Sequence, residues 1–432
     1  MAPRLSGVAI DAGQRARRLE RLRALDRRLV TAAELPTPPP RPSFADPMER
    51  AERLAVGLGG AVETMPAGPV VVVERRTRLP VDLEPLRRLP YPVDPARPLI
   101  SLDTETTGLG SSTGTVAFLV GLGSWQGDEF VTQQLLMADH ADEPALLQAI
   151  DARITTDTWL VTYNGRTFDW PLLETRFRMF RRRAPVHAGH LDLLPIARQV
   201  WKHRLADARL ASVEAAIAGV QRHEDLPGAM IPDRFFGWLR SGRPELLADV
   251  LDHNREDVVS LARLLGVMAG VLADPERRRK EHPGDLAGLA RAYARSGRSD
   301  DALACYDEAL SAWDAGDPAP SRLEWADVAA DGARLLSRVH RHVEAEAAWR
   351  AVAERGGGSA AWAWIAIAKI REHRHRDVHG ALEAAGRALA IVERRRAIGV
   401  PLRGAERDLG RRLHRLRRRA ARAPVRHPAS IG

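Results

Sequence analysis

The stretch Leu99-Ile-Ser-Leu-Asp103-Thr-Glu105-Thr-Thr-Gly108 decides the fold. Four strand-forming residues run into an acid, a second acid follows two places on, and a glycine closes the run. Residues two apart on a strand point to the same face, so Asp103 and Glu105 project together. Carboxylates held side by side repel each other unless a cation lies between them, and an all-oxygen donor set suits a hard divalent ion such as Mg²⁺ or Mn²⁺. Taken alone, the pair is equally compatible with solvated loop acids.

Working outward, residues 98–275 read as strands alternating with helices. Thr115–Ser124 and Phe130–Met137 have strand character, as does Trp159–Tyr163, while Glu143–Ile154, Phe168–Phe180, Arg209–Gly219 and Leu246–Met268 read as helices. This pattern predicts an α/β or α+β layer fold, one sheet covered by helices. Two more acidic places fall inside it. Tyr163-Asn164-Gly165-x-x-Phe168-Asp169 puts an aspartate where a helix begins, a position that also suits an N-cap. In His253-Asn254-Arg255-Glu256-Asp257, the histidine and the final aspartate are four apart and share one helix face.

The flanks differ in kind. Residues 1–97 read as a basic helix, a proline-rich linker (Pro36, Pro38, Pro39, Pro40, Pro42) and an N-terminal extension with one short strand at Val70–Glu74. Residues 283–420 read as helices only, ending in an arginine-rich tail. Leu286-Ala-x-Leu-Ala-x-Ala-Tyr293-x-x-x-Gly297, continuing to Ala302, Tyr306 and Ala309, spaces small and large residues as in one tetratricopeptide-like helix pair. A generic helical bundle stays open beside that reading.

Composition narrows the function. The chain has 432 residues, 45% hydrophobic and 28% charged, a globular balance. No apolar run is long enough to span a membrane. The single cysteine, Cys305, excludes a disulfide framework and a cysteine-based zinc site. Together these predict a soluble, cytoplasmic protein. No glycine-lysine pair occurs, which argues against a P-loop ATPase. The net charge of +9 is concentrated at the ends: ten arginines against two acids from Leu402 to Gly432, and eight against three from Met1 to Val30. Basic ends around an acidic middle suit a nucleic-acid partner, and also suit solvated helix faces.

The three acidic places, in this order and spacing, resemble motifs I, II and III of the DEDD (DnaQ-like) 3′–5′ exonucleases, which have a ribonuclease H-like fold. The YprB-like branch is the nearest in pattern. His190-Leu-Asp192-Leu-Leu, Leu226-Pro-Gly-Ala-Met-Ile-Pro232 and Trp238-Leu-x-x-Gly look like that branch's connecting pieces. The resemblance implies that Asp103, Glu105, Asp169 and Asp257 hold two Mg²⁺ or Mn²⁺ ions, with Asp103 bridging both. It implies that His253 orients or deprotonates the attacking water. Here the chain departs from the family, because three residues separate its histidine from Asp257, the spacing usual for a tyrosine, where histidine-type members have four.

The implied reaction is phosphodiester hydrolysis at single-stranded DNA or RNA ends. Thr106, Asn164, Phe168, Arg178 and Asn254 are the candidate substrate contacts. Arg176, Arg181, Arg182 and Arg183 are further phosphate candidates, or else a solvated helix end. Two other functions stay open: a helical-repeat scaffold that binds a partner protein and carries a weak or silent nuclease domain, and a structure-specific endonuclease using the same site.

Overall fold

The computed structural model describes residues 46–108, 114–222, 226–316 and 321–421. The expected basic N-terminal helix and proline-rich linker lie outside these residues.

A seven-stranded mixed sheet forms the first body, in the order β1-β2-β5-β4-β3-β6-β7. The strands are β1 (Ala61–Met65), β2 (Gly68–Arg78), β3 (Leu99–Thr106), β4 (Ala117–Gln126), β5 (Glu129–Leu136), β6 (Trp159–Thr162) and β7 (Gly189–Asp192). From β1 to β3 the neighbours are antiparallel, whereas β3, β6 and β7 run parallel. The sheet therefore starts upstream of residue 98. The short strand expected at Val70–Glu74 is part of β2, which pairs with β5 from Val71↔Leu136 to Arg78↔Glu129. Helix α1 (Pro47–Leu58) covers this edge, capped by Asp46, whose side chain accepts from Met48 N at 2.9 Å.

Helices α2 (Glu143–Asp151), α3 (Asp169–Met179), α4 (Leu193–Val200), α5 (Ile231–Ser241) and α6 (Ala248–Val267) pack around the sheet. α6 lies across β3, β4 and β5 and can approach closely because β4 carries glycine where they meet. A Cβ on Gly121 would lie 2.3 Å from Asn254 Oδ1, and one on Gly123 2.6 Å from Val258 Cγ1. This approach brings the acids of β3 and α6 together.

The second body is all helical: α7 (Pro283–Arg295), α8 (Ser299–Ala315), α9 (Trp325–Arg338), α10 (His342–Arg355), α11 (Ala360–Ile370), α12 (Val378–Ala397) and α13 (Arg403–Ala420). It joins the first body through one apolar cluster. Val161, Ile196 and Val200 from the sheet side meet Leu286, Leu289 and Tyr306 there. A Cβ on Gly288 would lie 2.5 Å from Gln199 O, so glycine sets the spacing between α4 and α7. The contact also buries Asp285, which accepts from Arg204 Nη2 and pairs with His203 Nε2, each at 2.7 Å. No described helix is long and apolar enough to cross a membrane.

Candidate active site

β3 carries Asp103 and Glu105 at its C-terminal end, where it bulges between Glu105 and Thr106. β6 ends at Thr162, and a turn through Asn164, in the left-handed region at φ 70°, leads into α3. Asp192 ties this turn down, accepting from Asn164 N at 2.7 Å while it caps α4 through Leu194 N at 3.0 Å. Asp169 is the first residue of α3 rather than its cap.

Asp103, Glu105, Asp169, His253 and Asp257 line one cleft of about 300 Å³ together with Thr106, Phe168, Gly228 and Pro232. Burial, reinforced by Asp257, Glu105 and Asp169, pushes the Asp103 carboxyl well above its ordinary value. Burial likewise raises Asp169 to about 6, against an opposing hydrogen bond from Thr104. That bond runs from the Thr104 hydroxyl to Asp169 Oδ1 at 2.5 Å. His253 Nε2 stands 3.9 Å from both Glu105 Oε1 and Asp257 Oδ2.

Four gathered carboxyls, two of them forced toward the neutral form, make an all-oxygen donor set whose electrostatic cost a hard divalent cation would offset. The residues present therefore fit such ions. A second group, His203, His282 and Asp285, brings potential ligand atoms within 4.8 Å of one another. Its carboxylate is already paired with Arg204 and His203.

The expected substrate contacts divide. Thr106 and Phe168 line the cleft, and Phe168 is 49% exposed there. Asn254 does not line it. This residue is fully buried beneath the sheet, where its Nδ2 donates to Asp103 Oδ2 at 2.9 Å and its Oδ1 accepts from Gln134 Nε2 at 3.0 Å. Its amide is consumed in holding Asp103, so it takes a positioning place rather than a substrate contact. Asn164 serves the turn, and Arg178 projects from the outer face of α3 beside Glu174.

Arg176 is also corrected. It is buried and forks onto Glu143 through Nε and Nη2, each at 2.5 Å, which removes it from the phosphate candidates. Tyr163 and Trp170 are packing residues, with the Tyr163 hydroxyl donating to Ala208 O at 2.6 Å. His190 pairs with Thr162, and burial lowers it to about 4.

One residue had no signal in the sequence. Arg222 lies in the stretch between Gly219 and α5, and its Nη1 stands 2.6 Å from Asp257 Oδ1. Nothing marks it in the primary order, because only the fold brings that stretch over α6.

Residues 100–269, which contain this cleft, match the family model described as the RNase H superfamily, and the chain belongs to that superfamily. It is similar to the "Uncharacterized protein YprB" of Bacillus subtilis (strain 168), with 32% identity over 295 residues, 68% of this chain and 69% of the relative.

Proposed function

We propose that this chain is a metal-dependent nuclease of the DEDD type, a cytoplasmic 3′–5′ exonuclease acting on single-stranded DNA or RNA ends. The observation that carries the reading is the convergence of four carboxylates, from β3, α3 and α6, in one cleft beside a histidine. Asp103, Glu105, Asp169 and Asp257 would hold two Mg²⁺ or Mn²⁺ ions. Bound there, such ions supply charge compensation for the phosphate and lower the pKa of an attacking water.

The chain's own groups do the rest. Asn254 fixes one oxygen of Asp103, and Thr104 fixes one of Asp169. His253 Nε2, at the mouth of the acid cluster, would take the proton of the attacking water, a task suited to imidazole near neutral pH. Phe168 offers a bare ring on which a terminal base can stack. The division of labour we propose puts catalysis in the sheet body and leaves the tetratricopeptide-like helices from residue 283 onward to bind a protein partner.

The test is degradation of end-labelled single strands with Mg²⁺ or Mn²⁺. With either metal, wild type should shorten 5′-labelled strands stepwise from the 3′ end, and Asp103→Ala should be inert. Equal inertness of the two on DNA and RNA would sink the reading. Continued cutting of strands with a blocked 3′ end would replace exonuclease with endonuclease. His253→Ala should slow the reaction by about 10²–10⁴-fold while retaining Mn²⁺ binding, as expected for loss of a general base.

A further inference from the structure

Resting on the reading of Asp257 as a metal ligand, we propose that Arg222 is a positioning residue. Anchored from behind by Glu214, it takes one oxygen of Asp257 and leaves the other to the cleft.

The chain reaches Arg222 through a π-type turn at Glu214–Ala218 that ends on Gly219, at φ 68°. A π-type turn widens the helix and re-aims the residues that follow. Arg222 Nε donates to Glu214 Oε2 at 3.0 Å and Nη2 to Ser260 Oγ at 3.4 Å, while Nη1 lies 2.6 Å from Asp257 Oδ1. Glu214 is held on its other oxygen by Arg263 Nη1 at 3.1 Å. The side chains of Arg222 and Glu214 are 6% and 1% exposed. A guanidinium is planar with its donors in a fixed fork, so anchoring Nε dictates where Nη1 points. Asp257 Oδ2, by contrast, is the oxygen near His253.

Charge distinguishes positioning from substitution for a cation. Outside the four acids, Glu214 and Glu256, the latter with its Oε2 3.9 Å from Arg222 Nε, offset Arg222 and Arg263, so this network brings no net positive charge to the cluster. What remains is orientation: a carboxylate whose back oxygen is taken presents one lone-pair edge forward. A buried ionic network contributes little to stability once its desolvation is counted, so stability alone does not account for it.

The experiment measures Mn²⁺ affinity by calorimetry, single-strand degradation, and melting temperature in metal-free buffer. It compares the full chain as wild type, Arg222→Ala, Arg222→Lys and Glu214→Gln. Arg222→Ala should weaken Mn²⁺ binding and lower kcat by about 10–100-fold, the usual loss on removing a partner of a metal ligand, with KM little changed. Arg222→Lys should recover part of both, because one donor returns without the fork. Glu214→Gln should fall between them.

Unchanged Mn²⁺ affinity and kcat in Arg222→Ala, with only the melting temperature lowered, would overturn the proposal in favour of a structural role. Tighter Mn²⁺ binding would overturn it in favour of a competing cation. Should Arg222→Ala fail to fold, Arg222→Lys and Glu214→Gln carry the same comparison. A wild type that binds Mn²⁺ and degrades nothing would sink the nuclease reading, with positioning still read from the titration. A wild type that takes up no Mn²⁺ overturns both.

Discussion

Two acids, half-buried Asp103 in the sheet body and buried Glu372 in the helical one, titrate in opposite directions. Asp103 sits among Glu105, Asp169 and Asp257 and is pushed well above the ordinary carboxyl value. Glu372, in the π-type turn after α11, meets Arg412, Arg415 and Arg419 on α13 and is held down at about 2. Burial opposes ionisation of both, and the neighbours decide the outcome. A fold that crowds like charges around a carboxyl, as Asp257, Glu105 and Asp169 stand around Asp103, spends stability on something outside itself, whereas one that compensates a buried charge fully is closing its own seam. The first pattern belongs to a site, the second to a scaffold.

The largest effect should come from removing the acid at the centre of the crowding. Asp103→Asn should lower activity by about 10³-fold or more, on the scale of losing a main transition-state charge stabiliser. The melting temperature of the metal-free protein should hold or rise, because one repulsive charge is gone. Mg²⁺ should raise the melting temperature of wild type by mass action and leave the variant's nearly unmoved. A large loss of stability in Asp103→Asn would break the comparison, since the acid cluster would then be holding the fold together.

Glu372 should behave in the opposite way. Glu372→Ala leaves three arginines facing a vacated, buried acceptor and should destabilise the helical body by about 3 kcal/mol, read by urea denaturation. Nuclease activity per folded molecule should be unchanged. The pH dependence has a defined sign. A carboxyl lowered from 4.5 to about 2 contributes stability that is fully present above pH 4.5 and is lost as pH falls toward 2. The stability gap between wild type and Glu372→Gln should therefore shrink across that window, and a gap independent of pH would contradict the ion-pair account.

The same contrast explains what could be read from the primary order. Asp103 with Glu105, and His253 with Asp257, were legible because strand and helix periods put each pair on one face. Strands β1 and β2 were only glimpsed at Val70–Glu74. The outer half of β2 carries Glu74, Arg75 and Arg76, exposed and loop-like in composition, and its pairing with β5 is long-range. The sequence puts Asn254 on the substrate side because a helical period cannot say which neighbour approaches; Gly121 on β4 settles that in space. Arg176 read as one of a basic run, yet its partner Glu143 is brought to it by packing of α2 against α3. Of the arginine-rich tail, Arg412, Arg415 and Arg419 are engaged with Glu372, which accounts for part of that basic run as structure.

Aromatic residues sharpen the contrast with the smallest expected effect. In the helical body Trp325, Trp349 and Trp364 are each covered by an arginine: Arg355 at 4.3 Å, Arg334 at 5.6 Å and Arg387 at 4.8 Å from the ring centroid. These cations close the surface over rings that would otherwise face water. Phe168 has no such cover among the described cation–ring contacts and stands 49% exposed at the rim of the acid cleft. A ring left bare beside the reacting position suits stacking by a substrate base, which is worth about 1–3 kcal/mol per base. Phe168→Ala should raise KM for single strands by about tenfold, a loss within that range, with kcat and melting temperature little changed. Phe168→Trp should restore KM, because any broad ring serves. If Phe168→Ala lowers kcat instead and leaves KM alone, the ring shapes the cleft rather than receiving the strand, and the cleft's exposed aromatic loses its place in the comparison.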